Sequence, residues 1–156
     1  MFRKDESGKV EQAIIIDFQL ARYAPPGHDI MMLFHLVQNK EFRDKNLKKL
    51  LQYYYEIFAE ELRKNQIDPK TILTFEELLE TCDYYDELGL VSSVLYFQLI
   101  LTPSDITSKF LASPELFDKN MLVDRSEMIK ECYLKDELCR TRVTEALNET
   151  IRRYIL

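Results

Sequence analysis

The sequence changes character at one segment, Ile14-Ile15-Ile16-Asp17-Phe18-Gln19-Leu20-Ala21-Arg22-Tyr23. Just before it, residues 10–16 are rich in β-branched side chains and follow a Ser7-Gly8 turn signal, which predicts a strand. The three consecutive isoleucines indicate burial on both faces, and a lone strand pair cannot bury them by itself. After this segment only helical patterns occur. We therefore predict a mainly α fold in which a short β-ribbon precedes about six helices.

The first helices follow a proline-rich connection. Residues 18–27 read as a loop, because Pro25-Pro26-Gly27 disfavours regular structure. Asp29 is placed as the N-cap or first-turn acid of a short apolar helix over residues 30–37, where it meets free backbone N–H groups. Residues 44–64 repeat apolar side chains at three- and four-residue steps, which predicts a second helix.

The later helices are marked by caps and prolines. Thr74 and Glu77 have the spacing of a capping box, so a long helix should reach about residue 101. Its acidic first half, which has no Lys or Arg, should be solvated and its apolar second half buried. Residues 105–124, which contain Pro114, should be irregular, and residues 136–154 should form the closing helix. The predicted buried side of that closing helix is Leu138, Val143, Leu147, Ile151 and Ile155.

Composition limits the class of protein. The 156 residues suit one domain and include 21 basic and 27 acidic side chains, giving a net charge of −6. This balance disfavours nucleic acid and anionic membrane surfaces as partners. The longest apolar-rich run, residues 88–101, is shorter than a membrane span. Three cysteines without CxxC spacing fit neither a disulfide framework nor a zinc site, and no secretory signal opens the chain, so we expect a cytoplasmic protein.

Two acidic residues are placed where chemistry could occur. Asp17 ends a predicted buried strand, and Asp29 opens a helix after the intervening loop. A carboxylate at a strand end is fixed yet can face a cleft, which suits a Mg²⁺ ion that also binds substrate phosphates. The plainer interpretation is that Asp17 merely ends the strand, since acids are common at such positions.

Several motifs together resemble one family. They are Ile16-Asp17-Phe18-Gln19-Leu20-Ala21-Arg22-Tyr23, Pro25-Pro26, Asp29-Ile30 and Gln52-Tyr53-Tyr54-Tyr55-Glu56. They resemble the C-terminal lobe of the insect ecdysteroid kinase-like family, whose members are small-molecule kinases related to choline kinases and aminoglycoside phosphotransferases. Residues 140–156 also resemble the end of that lobe. The resemblance implies a helical kinase-like lobe and ATP- and Mg²⁺-dependent phosphorylation of a hydroxyl group on a small molecule.

The resemblance also implies roles for individual residues. Asp17 matches the metal-binding acid that holds Mg²⁺ against ATP phosphates, so it would be both the metal and the cofactor site. Asp29 matches a structural residue that supports the catalytic loop. Late helices line the acceptor pocket in related phosphotransferases, so Asp83, Tyr84 and Asp86 are candidates for that pocket. The alternative for these three is a solvated helix face with buried tyrosine rings.

Other parts of such a kinase are missing from the sequence. It contains no nucleotide lobe, no phosphate-binding Lys with its Glu partner, and no catalytic loop of the form H-x-D-x-x-x-x-N. We therefore expect residues 1–156 to be a partial kinase-like C-terminal lobe that is inactive alone. The alternative is a non-catalytic helical binding or scaffold protein. An exposed lobe face would then bind a protein partner or a second copy.

Overall fold

The N-terminal segment is a two-stranded antiparallel ribbon. The computed structural model describes residues 2–16, 21 and 23–156. Strand β1 (Phe2–Lys4) pairs with β2 (Val10–Ala13), with Phe2 opposite Ala13. At the turn between them, the Asp5 carboxylate accepts hydrogen bonds from the backbone N–H groups of Ser7 and Lys9, both at 2.9 Å. The predicted strand and turn are therefore confirmed, but the strand is shorter than expected.

The three isoleucines after β2 are not buried. Ile14, Ile15 and Ile16 lie beyond the strand, and Ile15 is 78% exposed. The prediction of burial on both faces was wrong, because the ribbon has only two strands and no layer of described residues covers these side chains.

Helices make up most of the described chain, which confirms the mainly α prediction. The seven α-helices are α1 (Pro26–Val37), α2 (Lys40–Lys64), α3 (Phe75–Ile100), α4 (Ser104–Phe110), α5 (Pro114–Asp118), α6 (Ser126–Lys135) and α7 (Glu137–Tyr154). A 3₁₀ turn at Pro69–Thr71 joins α2 to α3. A π turn at Lys119–Val123 follows α5.

Helix starts follow local capping chemistry. The capping box of Thr74 and Glu77 is present at the start of α3, as predicted. Helix α1 begins at Pro26, earlier than expected, because a proline at the first helical position has the required φ and needs no N–H partner. Helix α2 also begins early, at Lys40, because the Asn39 side chain accepts a hydrogen bond from the Phe42 N–H at 2.8 Å.

Residues 105–124 are largely helical, so the prediction of an irregular stretch was wrong. Pro103 immediately precedes α4, and Pro114 occupies the first turn of α5. The Ser113 hydroxyl caps α5 by accepting from the Leu116 N–H at 3.3 Å. Pro114 therefore starts a helix instead of breaking one, whereas Pro103 lies between the end of α3 at Ile100 and the start of α4.

The core consists of two hydrophobic clusters joined by α3. One cluster lies between α1, α2 and the first half of α3 and contains Met31, Leu51, Leu78 and Cys82. The other lies between the second half of α3, α4, α6 and α7. Its buried members are Phe97, Ile106, Phe110, Met128, Cys132, Cys139, Val143 and Ala146. All three cysteines are free and buried.

Two glycines let α1 and α3 pack closely. A Cβ atom at Gly27 would lie 2.5 Å from the backbone carbon of Thr81 on α3. A Cβ atom at Gly89 would lie 2.9 Å from the Met31 carbonyl oxygen and 2.6 Å from the His35 ring. All three distances are shorter than real side chains allow, so the two helices approach through their glycines.

The buried sides of α3 and α7 differ from the predictions. In α7 the buried residues are Cys139, Arg142, Val143, Ala146 and Glu149. Of the predicted set only Val143 is buried, because ion-paired Arg142 and Glu149 occupy the inner face and most apolar side chains are turned outward. The second half of α3 is likewise buried on one side only, since Leu88, Val91 and Leu95 are exposed.

No single helix among the described residues has the length and apolarity needed to cross a membrane. Helices α3 and α4 meet that length and composition test only together, and they are bent by 82° at the break between them. Core helices of soluble proteins pass the same test.

Candidate functional site

The main candidate site is a cleft of about 540 Å³ between α2, α3 and the end of α7. Its apolar floor is formed by side chains from α1, α2 and α3, which are Met31, Leu47, Leu51, Leu79 and Cys82. Its polar lining, most of it at the rim, has three basic and three acidic side chains, which are Arg43, Asp44, Lys48, Asp83, Asp86 and Arg153. An apolar floor with a few polar rim groups is typical of a small-molecule site.

Asp86 is held in the wall of this cleft by hydrogen bonds from His35 and Arg153. Its Oδ1 accepts a hydrogen bond from His35 Nε2 at 2.7 Å, and its Oδ2 accepts from Arg153 Nη1. Burial by itself would raise the pKa of Asp86, but the bonds from His35 and Arg153 outweigh it and lower this pKa to about 2. Asp86 is therefore ionised and fully engaged, and it is poorly suited to accept a proton from a substrate at neutral pH.

A chain of ion pairs extends inward from Asp86. Arg153 also donates to Glu149, and Glu149 in turn accepts from Arg43 Nη2 at 2.5 Å. The side chains of Arg43 and Glu149 are almost completely buried. His35, whose side chain is buried, begins this chain, and its Nδ1 has no hydrogen-bond partner in the described part of the protein. The network ties α1, α2, α3 and α7 together.

Asp83 and Lys48 are the polar rim groups that remain free for a ligand. Within the residues that the structure describes, neither forms a hydrogen bond or an ion pair. They lie on opposite walls, Lys48 on α2 and Asp83 on α3. A ligand with an apolar body and hydroxyl groups could therefore lie on the floor and bond to the rim.

The three predicted acceptor residues do not share one pocket. Asp83 and Asp86 line the main cleft, whereas Tyr84 is 77% exposed and lies on a neighbouring surface depression of about 640 Å³. Asp83 borders both. The Tyr84 ring packs edge-on against Tyr85 with centroids 5.0 Å apart. The alternative interpretation, a solvated helix face with buried tyrosine rings, also fails in part, since Asp86 is ion-paired and Tyr84 is not buried.

Cys82 on the cleft floor is not a nucleophile in this arrangement. Burial, followed by the nearby charge of Asp86, raises the pKa of this thiol to about 11. The reactive thiolate is therefore scarce at neutral pH.

Asp29 lies in the first turn of α1, as predicted. Its side chain is 89% exposed, and its Oδ1 is 2.8 Å from His28 Nδ1. The His28 ring in turn packs edge-on against Tyr85, with centroids 5.3 Å apart. The carboxylate can thus accept further hydrogen bonds from a neighbouring segment, which is what support of a catalytic loop requires.

The proposed metal ligand Asp17 lies outside the described residues. Among residues 2–16, 21 and 23–156, no group of three His, Cys, Asp or Glu side chains could hold a metal ion. The assignment of Asp17 as a Mg²⁺ ligand therefore stays a prediction.

The residues of the ion-pair network were missed from the sequence. Arg43 and Glu149 are 106 residues apart, and no local pattern pairs them. A weak signal exists in α7, where Glu149 and Arg153 stand four residues apart, the spacing of a helical ion pair. Nothing in that spacing shows that the pair is turned toward the core.

Comparison with known proteins gives a partial family match. Residues 1–67 match the model of the ecdysteroid kinase-like family. The match confirms the resemblance read from the segment around Asp17 and from Asp29-Ile30. It covers the ribbon, α1 and α2, and it ends before α3. The match therefore does not include residues 140–156, and their predicted likeness to this family stays a prediction.

No curated protein and no solved structure matches the chain. The ecdysteroid kinase-like family is thus the relationship that these comparisons support. Asp17 and Asp29 lie inside the matched residues. The cleft residues Asp83 and Asp86 lie outside them, so their assignment rests on the geometry of the cleft alone.

Acid should weaken the fold through Asp86. The folded-state pKa of Asp86 is lowered, so the stability from its ion pairs is fully present above about pH 4 and is lost as the pH falls toward 2. We expect wild type to lose about 1 kcal/mol more than Asp86→Asn over this range, after allowance for partial solvent exposure. Urea unfolding at several pH values, followed by circular dichroism, measures this difference.

Asp83→Asn is the matched control for that measurement. This variant removes a carboxylate from the same helix. That carboxylate has no ion-pair partner among the described residues. Its pH profile should follow that of wild type. Parallel profiles for wild type and Asp86→Asn would contradict the expected effect of the His35 and Arg153 bonds.

Proposed function

We propose that this chain is the C-terminal lobe of an ATP-dependent small-molecule kinase and that it transfers no phosphate by itself. The supporting observation is the family match over residues 1–67, which includes Asp17 and Asp29. Reactions of this kind need a metal-bound phosphate, a base that orients the hydroxyl and a nucleotide lobe. The sequence offers only the first of these, through Asp17.

When bound, Mg²⁺ would supply positive charge that offsets the charge developing on the transferred phosphate. The residues of this chain would contribute support and binding. Asp17 would hold the metal, and Asp29 would brace the catalytic loop through its exposed carboxylate. The cleft between α2 and α3 would receive the acceptor, with Asp83 accepting a hydrogen bond from a hydroxyl and the apolar floor covering the ligand body.

We further propose a small hydroxylated molecule as the acceptor and the cytoplasm as the location. The apolar floor and the size of the cleft support a compact ligand with few charges. The net charge of −6 supports a protein that binds neither nucleic acid nor an anionic membrane surface.

The test is binding of a fluorescent ATP analogue with and without Mg²⁺. We expect weak, Mg²⁺-dependent binding that is lost in Asp17→Asn and kept in Asp118→Asn, whose carboxylate is exposed on α5, away from the cleft. A second assay supplies ATP, Mg²⁺ and a hydroxylated steroid and should show no turnover. Turnover above an Asp17→Ala control would overturn the proposal of inactivity. Binding that Asp17→Asn leaves unchanged would overturn the role of Asp17.

A second candidate, a helical binding or scaffold protein, is favoured by one observation. The chain has an accessible surface of 11500 Å². A self-contained globular protein of its mass exposes about 8200 Å². A scaffold would be indifferent to Asp17→Asn, so the same binding assay separates it from the kinase lobe.

A further inference from the structure

Two helices expose apolar stripes on their outer faces. On α3 the exposed side chains follow each other at steps of four, three and four residues, and on α7 at steps of four and three, so each set lies on one helix face. The α3 stripe consists of Tyr84, Leu88, Val91 and Leu95, which are between 42% and 77% exposed. The α7 stripe consists of Leu147, Ile151 and Tyr154, which are between 39% and 49% exposed.

The charges beside the two stripes have opposite signs. The α3 stripe is flanked by Glu80 and Glu87, which are exposed and form no ion pair with any described residue. No Lys or Arg lies between residues 74 and 101. On α7, Arg140 lies two turns before Leu147 on the face of the stripe, and Arg152 directly follows Ile151; both arginines are exposed. The two surfaces therefore complement each other in both charge and polarity.

Within one chain the two stripes cannot meet. Helices α3 and α7 already pack against each other through their inner faces, where Asp86 bonds Arg153 and Arg142 lies over the Phe97 ring at 4.8 Å. The stripes lie on the faces turned away from this contact. Two α3 stripes would not pair with each other either, because their acidic edges would repel.

The amount of exposed surface fits contacts between copies. The accessible surface of 11500 Å² exceeds the expectation for a compact monomer of this mass by about 3300 Å². A stable interface takes about 800 Å² from each partner, so a chain that uses two faces would bury about 1600 Å² of its own surface. The excess is larger than this area, and the exposed N-terminal ribbon contributes to it as well.

We propose that the chain associates head to tail, with the α7 stripe of one copy seated on the α3 stripe of the next. Glu80 and Glu87 would face Arg140 and Arg152 across the contact. Such an interface joins two different surfaces, so it can continue from copy to copy. The inference does not depend on the proposed kinase function, because all residues of both stripes lie outside the matched residues 1–67.

Two variants, each damaging one stripe, test this directly. Sedimentation equilibrium of the whole chain up to about 100 µM should show an average mass that rises above 18.6 kDa with concentration. Leu88→Lys removes the α3 surface and Ile151→Lys removes the α7 surface, so each alone should remain monomeric. An equal mixture should form a dimer and nothing larger, because one intact α7 stripe then meets one intact α3 stripe.

Leu134→Lys is the matched control. Leu134 is a leucine on α6 that is 65% exposed and belongs to neither stripe, so this variant should associate as wild type does. Circular dichroism checks that all variants keep the helical content of wild type. A wild type that stays monomeric would overturn the proposal. The stripes would then be candidates for contact with another partner, such as a nucleotide lobe. A mixture that stays monomeric, or single variants that associate normally, would overturn it as well.

Discussion

Replacing Glu149 by alanine is expected to lower the free energy of unfolding by about 3–5 kcal/mol. The Glu149 side chain is 3% exposed and accepts hydrogen bonds from both Arg43 and Arg153. Among the described residues, its removal leaves the buried Arg43 guanidinium with the Gln38 carbonyl, at 2.9 Å, as its one remaining hydrogen-bond acceptor. An unpaired buried charge is costly, and domains of this size have only about 5–15 kcal/mol of stability. Urea unfolding followed by circular dichroism measures the loss.

Glu145→Ala is the control for this prediction. It lies one turn earlier on α7 and pairs with Arg142 at 3.3 Å. Arg142 would keep its bonds to the carbonyls of His35 and Gln38, so this variant should lose about 1 kcal/mol at most. Equal losses of unfolding free energy in Glu149→Ala and Glu145→Ala would show that burial of the Glu149 ion pairs does not add to their effect on stability.

A double variant separates the cost of an unpaired charge from the value of the pair. Arg43→Met combined with Glu149→Leu replaces both buried ions by apolar side chains of similar size. Such replacements are often neutral or stabilising, so the double variant should recover more than half of the loss seen in Glu149→Ala. A double variant as unstable as Glu149→Ala would mean that shape, not charge, determines the effect.

Much of the fold could be predicted from local signals. The capping box at Thr74, the turn at Ser7-Gly8 and the apolar periodicity of α2 each depend on residues within a few positions of one another. Errors arose where a local signal has two meanings. Proline was read as a breaker at Pro26 and Pro114, although it is also the preferred residue in a first helical turn.

The buried side of α7 could not be predicted in the same way. Apolar periodicity assumes that charged residues face solvent, and it therefore chose Leu147 and Ile151 over Arg142 and Glu149. The actual choice depends on partners distant in sequence, since Glu149 is buried with Arg43 and Arg142 bonds the carbonyl of His35. The candidate cleft could not be predicted for the same reason, because it too depends on residues distant in sequence. Asp83 and Asp86 could be singled out as acids beside tyrosines, but Arg153, which bonds Asp86, comes from a helix 67 residues away.

Gly27→Ala is the second substitution with a large expected effect, about 2–3 kcal/mol of lost stability. The added Cβ would lie 2.5 Å from the backbone carbon of Thr81, 2.7 Å from its carbonyl oxygen and 2.7 Å from the Cys82 nitrogen. All three atoms belong to the α3 backbone, so no side-chain rotation can relieve the clash and the two helices must separate. In an exposed helix, by contrast, the same exchange would gain up to about 1 kcal/mol.

Gly8→Ala distinguishes this helix contact from the general effect of removing a glycine. Gly8 has a φ of +84° in the ribbon turn, and nothing lies within 4 Å of a Cβ added there. Its replacement should cost about 1 kcal/mol through backbone strain alone and should leave the helices unchanged. Only Gly27→Ala should shift the midpoint of the helical unfolding transition strongly. If both variants shift it equally, the close contact between α1 and α3 is not what requires glycine at position 27.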